Sequence, residues 1–135
     1  MNIPKFLMGG HAIFTMTDQE RSIRYTYKLD APKGREDAMV RYVSFLTGPN
    51  NSNDYWYIGL MTDKEFRWTK KSRVKPTTIS FRYFKALHKY LFIDKKPLPS
   101  HIEIRHEGKC GRCGRKLTVP ESIDSGFGPM CIGLI

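Results

Sequence analysis

Cys110 and Cys113 stand two residues apart, Cys131 follows after a further 17, and the chain of 135 residues holds no other cysteine. An odd number of cysteines confined to one short stretch constrains the C-terminal fold more than any other feature. A disulfide framework uses pairs in an oxidising compartment, whereas in a reducing cytosol a CxxC pair points to metal binding or catalysis. The spacing fits the two halves of a tetrahedral zinc site that meet across a loop. Glycines flank both halves: Gly111 and Gly114 ease a sharp turn after the first cysteine, and Gly126 and Gly128 do so before the last.

A closed structural zinc site takes four ligands, so one more donor is expected. His106, four residues before Cys110 at the end of the strand-like "HIEIRH", is the first choice. His101 is the second, His11 or His88 would require the N-terminal part to fold over the metal, and Asp124 or Glu121 would be unusual donors in a structural site. A redox CxxC would open a helix whose dipole lowers a thiol pKa. Here glycine and arginine interleave the cysteines, and "GRKLTVPES" reads as a knuckle and loop, which favours structural zinc over redox chemistry or free thiols. Arg112, Arg115 and Lys116 would offset the charge of three thiolates. Catalytic zinc needs an open position and a general acid or base, and neither HExxH nor the paired HxE and PCxxC motifs occur.

Upstream, "IRYTYKL" alternates, with Ile23, Tyr25, Tyr27 and Leu29 on one face and Arg24, Thr26 and Lys28 on the other, as a half-buried antiparallel strand requires. "AIFTM" is its expected hairpin partner across "TDQERS". "MVRYVSFL" and "YWYIGLM" flank the turn-rich "TGPNNSND", and "FRWT" follows a second turn. The aromatics Tyr42, Phe45, Tyr55, Trp56, Tyr57, Phe66 and Trp68 serve as sheet core or, on an exposed face, as a base-stacking platform. From Thr78 to Leu91 the period changes: Phe81, Phe84, Leu87 and Leu91 recur as on an amphipathic helix, capped by Thr77 or Thr78. "DKKPLPS" breaks that helix. The fold class expected is α+β: an antiparallel sheet with one packed helix over residues 1–99, and a zinc knuckle module over 100–135 packed on it as one compact unit.

Lys and Arg total 23 against 13 Asp and Glu, a formal net charge of +10. That excludes imitation of DNA by overall charge and favours polyanions or acidic protein surfaces. The densest cluster is "RWTKKSRVK", where Arg67, Lys70, Lys71, Arg73 and Lys75 surround Trp68 as candidate phosphate and stacking contacts. Arg82, Lys85 and Lys89 share one side of the predicted helix and extend the candidate surface. No apolar run spans a bilayer and the N-terminus lacks a signal-peptide pattern, so a cytoplasmic protein without membrane contact is expected. No nucleophile–base pair, carboxylate pair or phosphate loop can be read, so no enzymatic activity is expected.

The segment "CGRCGRKLTVPESIDSGFGPMC" resembles a zinc-binding module of uncharacterised function found in small bacteriophage and prophage proteins, with the pattern CxxCGRxLT, then PxSI, then GxGPxC. The likeness covers about the last 30 residues. It implies ligands at Cys110, Cys113 and Cys131 with His106 upstream. The blocks "AIFT", "FLTGPNNSNDYWYIG" and "TKKS" are similar to the N-terminal part of the same proteins. The resemblance implies a phage setting inside a bacterial host cell and carries no known enzymatic activity. Two functions follow as expectations: a noncatalytic binder of nucleic acid, or an inhibitor of a nucleoprotein machine such as a polymerase or a CRISPR effector, an anti-CRISPR protein that blocks DNA loading.

Overall fold

The computed structural model describes residues 1–135. Alternation of apolar and polar side chains produces β1 (His11–Asp18) and β2 (Ile23–Asp30), paired antiparallel from His11 opposite Asp30 to Asp18 opposite Ile23. β3 (Arg41–Leu46), β4 (Tyr55–Met61) and the two-residue β5 (Phe66–Arg67) continue the meander. β6 (Ile102–His106) then returns to the far side of β1, completing an antiparallel sheet in the order β5-β4-β3-β2-β1-β6. The fold is α+β, and the strand leading into the cysteines belongs to the N-terminal sheet.

One sheet face is covered by α2 (Ile79–His88), which turns Phe81, Phe84 and Leu87 inward at helical spacing. Phe66 meets Phe81 and Phe84 at ring distances of 4.7 Å each, and Tyr27 packs on Phe84 while donating its buried hydroxyl to the Ser80 carbonyl at 2.7 Å. Tyr27 thus contributes ring burial without leaving its hydroxyl unpaired. Thr78 occupies the N-cap position, but its hydroxyl bonds back to the Lys75 carbonyl at 2.9 Å instead of capping the helix. The helix does not run on as α-helix to Leu91; it widens into a π-helical turn over Lys89–Ile93.

The register places Arg24, Thr26, Lys28, Tyr42 and Tyr57 on the face away from α2. Of the aromatics, Phe66 is core, Phe45 packs edge-on against Tyr25, and Tyr42, Trp56 and Trp68 are each more than a third exposed. On β4, Gly59 faces Val43 and Tyr57 faces Ser44, leaving Ile58 as the extra residue of a bulge that buries its side chain.

Two buried charges tie elements together. Asp18 follows Ala12, Phe14 and Met16 on the covered face; it accepts the Glu20 and Arg21 backbone N–H groups, the Arg21 guanidinium and the Tyr83 hydroxyl. Arg41 donates to the carbonyls of Met8, Ala38 and Val40. α1 (Ile3–Leu7), which carries no periodicity in the sequence, is a short helix capped by Asn2 whose Phe6 and Leu7 are fully buried. Phe6 reaches the C-terminal segment, 5.8 Å from the His106 ring and 6.0 Å from that of Phe127.

Candidate metal centre and cationic surface

Cys110 starts a tight knuckle: its carbonyl accepts from Gly114 N–H at 2.9 Å, and its own N–H donates to the Arg115 carbonyl at 2.8 Å. The second half arrives through α3 (Pro120–Ser125), which ends on Gly126, and α4 (Pro129–Ile132), which carries Cys131. Gly126 has φ +80°, the left-handed cap that glycine adopts without cost. Gly111 serves differently from the turn-easing role expected of it, because a Cβ there would lie 2.7 Å from the Phe6 ring. Its missing side chain is the socket for Phe6. Gly128 is neither strained nor crowded, and what it contributes is its N–H.

The three sulfurs lie within 4.8 Å of one another and form a cluster that could hold a metal ion. A tetrahedral centre with metal–sulfur bonds of about 2.3 Å holds sulfurs about 3.8 Å apart, so a small approach suffices. The surrounding donors suit thiolates. Cys110 Sγ accepts N–H groups from Gly128 at 3.3 Å, Arg112 at 3.4 Å and Cys113 at 3.5 Å. Burial opposes ionisation of Cys110, yet the N–H groups of Cys113, Gly128 and Arg112 outweigh it and bring the thiol down to about 7. Burial pushes the Cys131 thiol up, against the Arg112 guanidinium 3.7 Å from its sulfur. Of the three basic residues expected to offset the cluster, Arg112 makes this contact.

His106 does not join the sulfurs. Its Nδ1 accepts the Gly108 N–H at 2.9 Å and its Nε2 donates to the Ile123 carbonyl at 2.5 Å, so both nitrogens are used in fastening α3 to β6. The expected fourth ligand is therefore a structural staple in this geometry. His101 lies 3.6 Å from Glu20, and buried His88 donates to the Thr62 carbonyl at 2.7 Å. His11 donates from Nδ1 to the Arg112 carbonyl at 2.6 Å, touching the knuckle between its two cysteines. Glu121 and Asp124 are exposed and outside the cluster.

The cationic residues singled out in the sequence are all exposed. The segment 68–78 lies against the β4 edge, with Arg73 N–H bonded to the Tyr57 carbonyl at 2.9 Å and the Ser72 hydroxyl to that of Ile58 at 2.8 Å. Trp68 anchors this loop, its indole N–H donating to the Val74 carbonyl at 2.8 Å. The tryptophan that meets a cation is Trp56, whose ring lies 4.5 Å from the Arg73 guanidinium. Thr78 N–H bonds to Lys75 and Arg82 N–H to Thr78, so the loop cations run directly into Arg82, Lys85 and Lys89 on α2.

Fold and site together define an α+β protein with a cysteine knuckle set into the edge of its sheet. A family model described as a family of unknown function (DUF6011) matches residues 103–134, which takes in most of β6 and all three cysteines. No curated protein and no solved structure matches the chain. No helix is long and apolar enough to cross a membrane.

Proposed function

We propose that the chain is a noncatalytic nucleic-acid-binding protein whose C-terminal segment is stapled by a structural Zn²⁺ on Cys110, Cys113 and Cys131, with the fourth position taken by a donor from outside this cluster. Thiolate donors suit zinc, and the ion would supply cross-linking and folding energy to a segment with little core of its own. One observation carries the binding role. From Arg67 to Lys89 the chain has eight Lys and Arg and no Asp or Glu. Arg67 pairs with Glu65 and Lys89 with Asp94, while Lys70, Lys71, Arg73, Lys75, Arg82 and Lys85 have no carboxylate partner. A run of exposed cations without carboxylate partners suits phosphates, and Trp56, more than a third exposed beside Arg73, offers a stacking surface.

The test is fluorescence anisotropy of the zinc-loaded protein with labelled DNA and RNA across a salt series. Six phosphate contacts correspond to a log–log salt slope of about −4 on single strands and about −5 on duplex DNA. Neutralising Lys70 and Lys71 should flatten the slope by roughly 1.4 to 1.8. Salt-insensitive binding, or no response to these substitutions, would overturn the reading.

A second reading has its own support. Residues 119–135 expose Val119, Ile123, Met130, Ile132, Leu134 and Ile135, with Met130 at 82% and Leu134 at 64%. Such apolar surface suits a protein contact. The chain would then be a phage-encoded inhibitor of a nucleoprotein machine such as a polymerase or a CRISPR effector. Capture of a purified effector with no affinity for free DNA would favour it.

A further inference from the structure

A further concavity is lined by none of the three cysteines and by no residue of the 67–89 strip. It is a groove of ≈ 1020 Å³ between α1, the β4–β5 turn at Asp63 and Lys64, and the stretch from the π-turn to Leu98. Its size reaches the top of the range of about 300–1,000 Å³ usual for ligand sites. Ile3, Leu91, Phe92, Ile93 and Leu98 supply its apolar lining, and Ile93 is 49% exposed. Lys5, Lys64, Lys95 and Lys96 surround that lining, none of them in an ion pair, with Asp63 as the one carboxylate.

The backbone is shaped to present these groups. The π-turn closes through the Asp94 N–H on the Lys89 carbonyl at 2.8 Å, and Lys95 then adopts φ +51°, a left-handed conformation uncommon for a residue with a side chain. The Lys96 N–H returns to the Tyr90 carbonyl at 2.8 Å. This reversal sets Lys95 and Lys96 side by side at the mouth of the groove. The left-handed residue ends the helix after its π-turn, and the chain there passes into the groove lining.

We propose that this groove docks a protein segment that is acidic and carries apolar side chains. Charge complementarity selects an acidic partner, since four unpaired ammonium groups face one carboxylate. The apolar lining selects a peptide over nucleic acid. Bases need a flat aromatic platform, and Phe92, the one aromatic side chain in the lining, already stacks on His88 at 5.0 Å. The docking mode is an apolar face laid into a groove and held by charges around it, independent of the phosphate strip.

The experiment is an NMR titration of the ¹⁵N-labelled, zinc-loaded full chain with a synthetic peptide that interleaves Glu with Leu and Phe. Saturable shifts in residues 1–5, 63–64 and 89–98 are expected. Ile93→Glu and the pair Lys95→Glu, Lys96→Glu should each weaken binding by about tenfold or more, while Lys70→Glu with Lys71→Glu leaves it within about twofold. All five positions are exposed, and thermal melts of the variants check their folding. Equal binding by a peptide with Ser in place of Leu and Phe would overturn the proposal. So would shifts centred on 67–89, no saturable binding, or the same groove shifts on adding oligo-dT, which would make the groove a nucleic-acid site.

Discussion

Asp18 and His106 show how much a single side chain does here through backbone and hydroxyl partners. The Tyr83 hydroxyl, 2.6 Å from Asp18, lowers that carboxyl to about 2; burial works against the shift, and Arg21 adds to it. Because the folded value lies below the ordinary one, this stabilisation is complete above the ordinary carboxylate range and disappears as pH falls toward 2. Melting temperature measured from pH 5 to pH 2 should drop less steeply in Asp18→Asn and Tyr83→Phe than in the parent chain; parallel curves would show that the contact contributes nothing. At the knuckle, Cys110→Ser or Cys131→Ser should abolish stoichiometric zinc. His106→Ala should retain the metal and cost about 0.5–1.5 kcal/mol in denaturant unfolding, the net worth of a hydrogen bond whose Ile123 carbonyl water can reach. Loss of zinc in His106→Ala would return that residue to the ligand set. The three cysteines were legible in the sequence because ligand spacing is local. The role of His106 was not, since both of its partners are backbone groups that no side-chain pattern records.

Among the elements, β1, β2 and α2 could be read from periodicity because each buries one face and leaves the other more open to solvent. The two-residue β5 was read within "FRWT" from the turn before it, whereas the five-residue α1 is too short to show a period and the π-turn leaves no trace in side-chain spacing. The pairing of β6 with β1 was hidden for another reason: the strand itself is plain in "HIEIRH", but its partner lies far away along the chain. α1 matters beyond its length, because its fully buried Phe6 fills the space left by Gly111 and Gly126. Phe6→Ala should destabilise the protein by about 3–5 kcal/mol. Its effect should extend to the metal centre, read as faster zinc release to a chelator. Unchanged release would mean that the knuckle holds its shape without the N-terminal turn. Gly111→Ala should act in the same direction by pressing on Phe6, whereas Gly128→Ala, with open space at its Cβ, should be near neutral.

For the whole molecule, about half of the cations legible in the composition fall on two surfaces, the 67–89 strip and the groove. The 67–89 strip could be read directly, since a run of cations without a carboxylate is a property of contiguous sequence. The groove could not, because Lys5, Lys64, Lys95 and Lys96 come from three distant stretches and meet only through the fold. The proposed functions divide along the same line. Cation removal at Lys70 and Lys71 should act on polyanion affinity and its salt slope, and removal of Lys95 and Lys96 on peptide affinity, with little cross-effect because the two pairs share no partner.

The placement of β6 also sets an order of events during synthesis. β1 leaves the ribosome with one side already destined for β2, while its other partner is made much later: Thr15 and Glu107, bonded across this join, are 92 residues apart, and His11 and Arg112 are 101 apart. Until the last quarter of the chain emerges, β1 is a bare strand edge and Phe6 has no socket. A nascent chain therefore carries a sticky margin until β6 arrives, and, on the proposed zinc staple of the segment that follows β6, cells short of zinc should accumulate aggregates of this protein while its amino-acid sequence is intact.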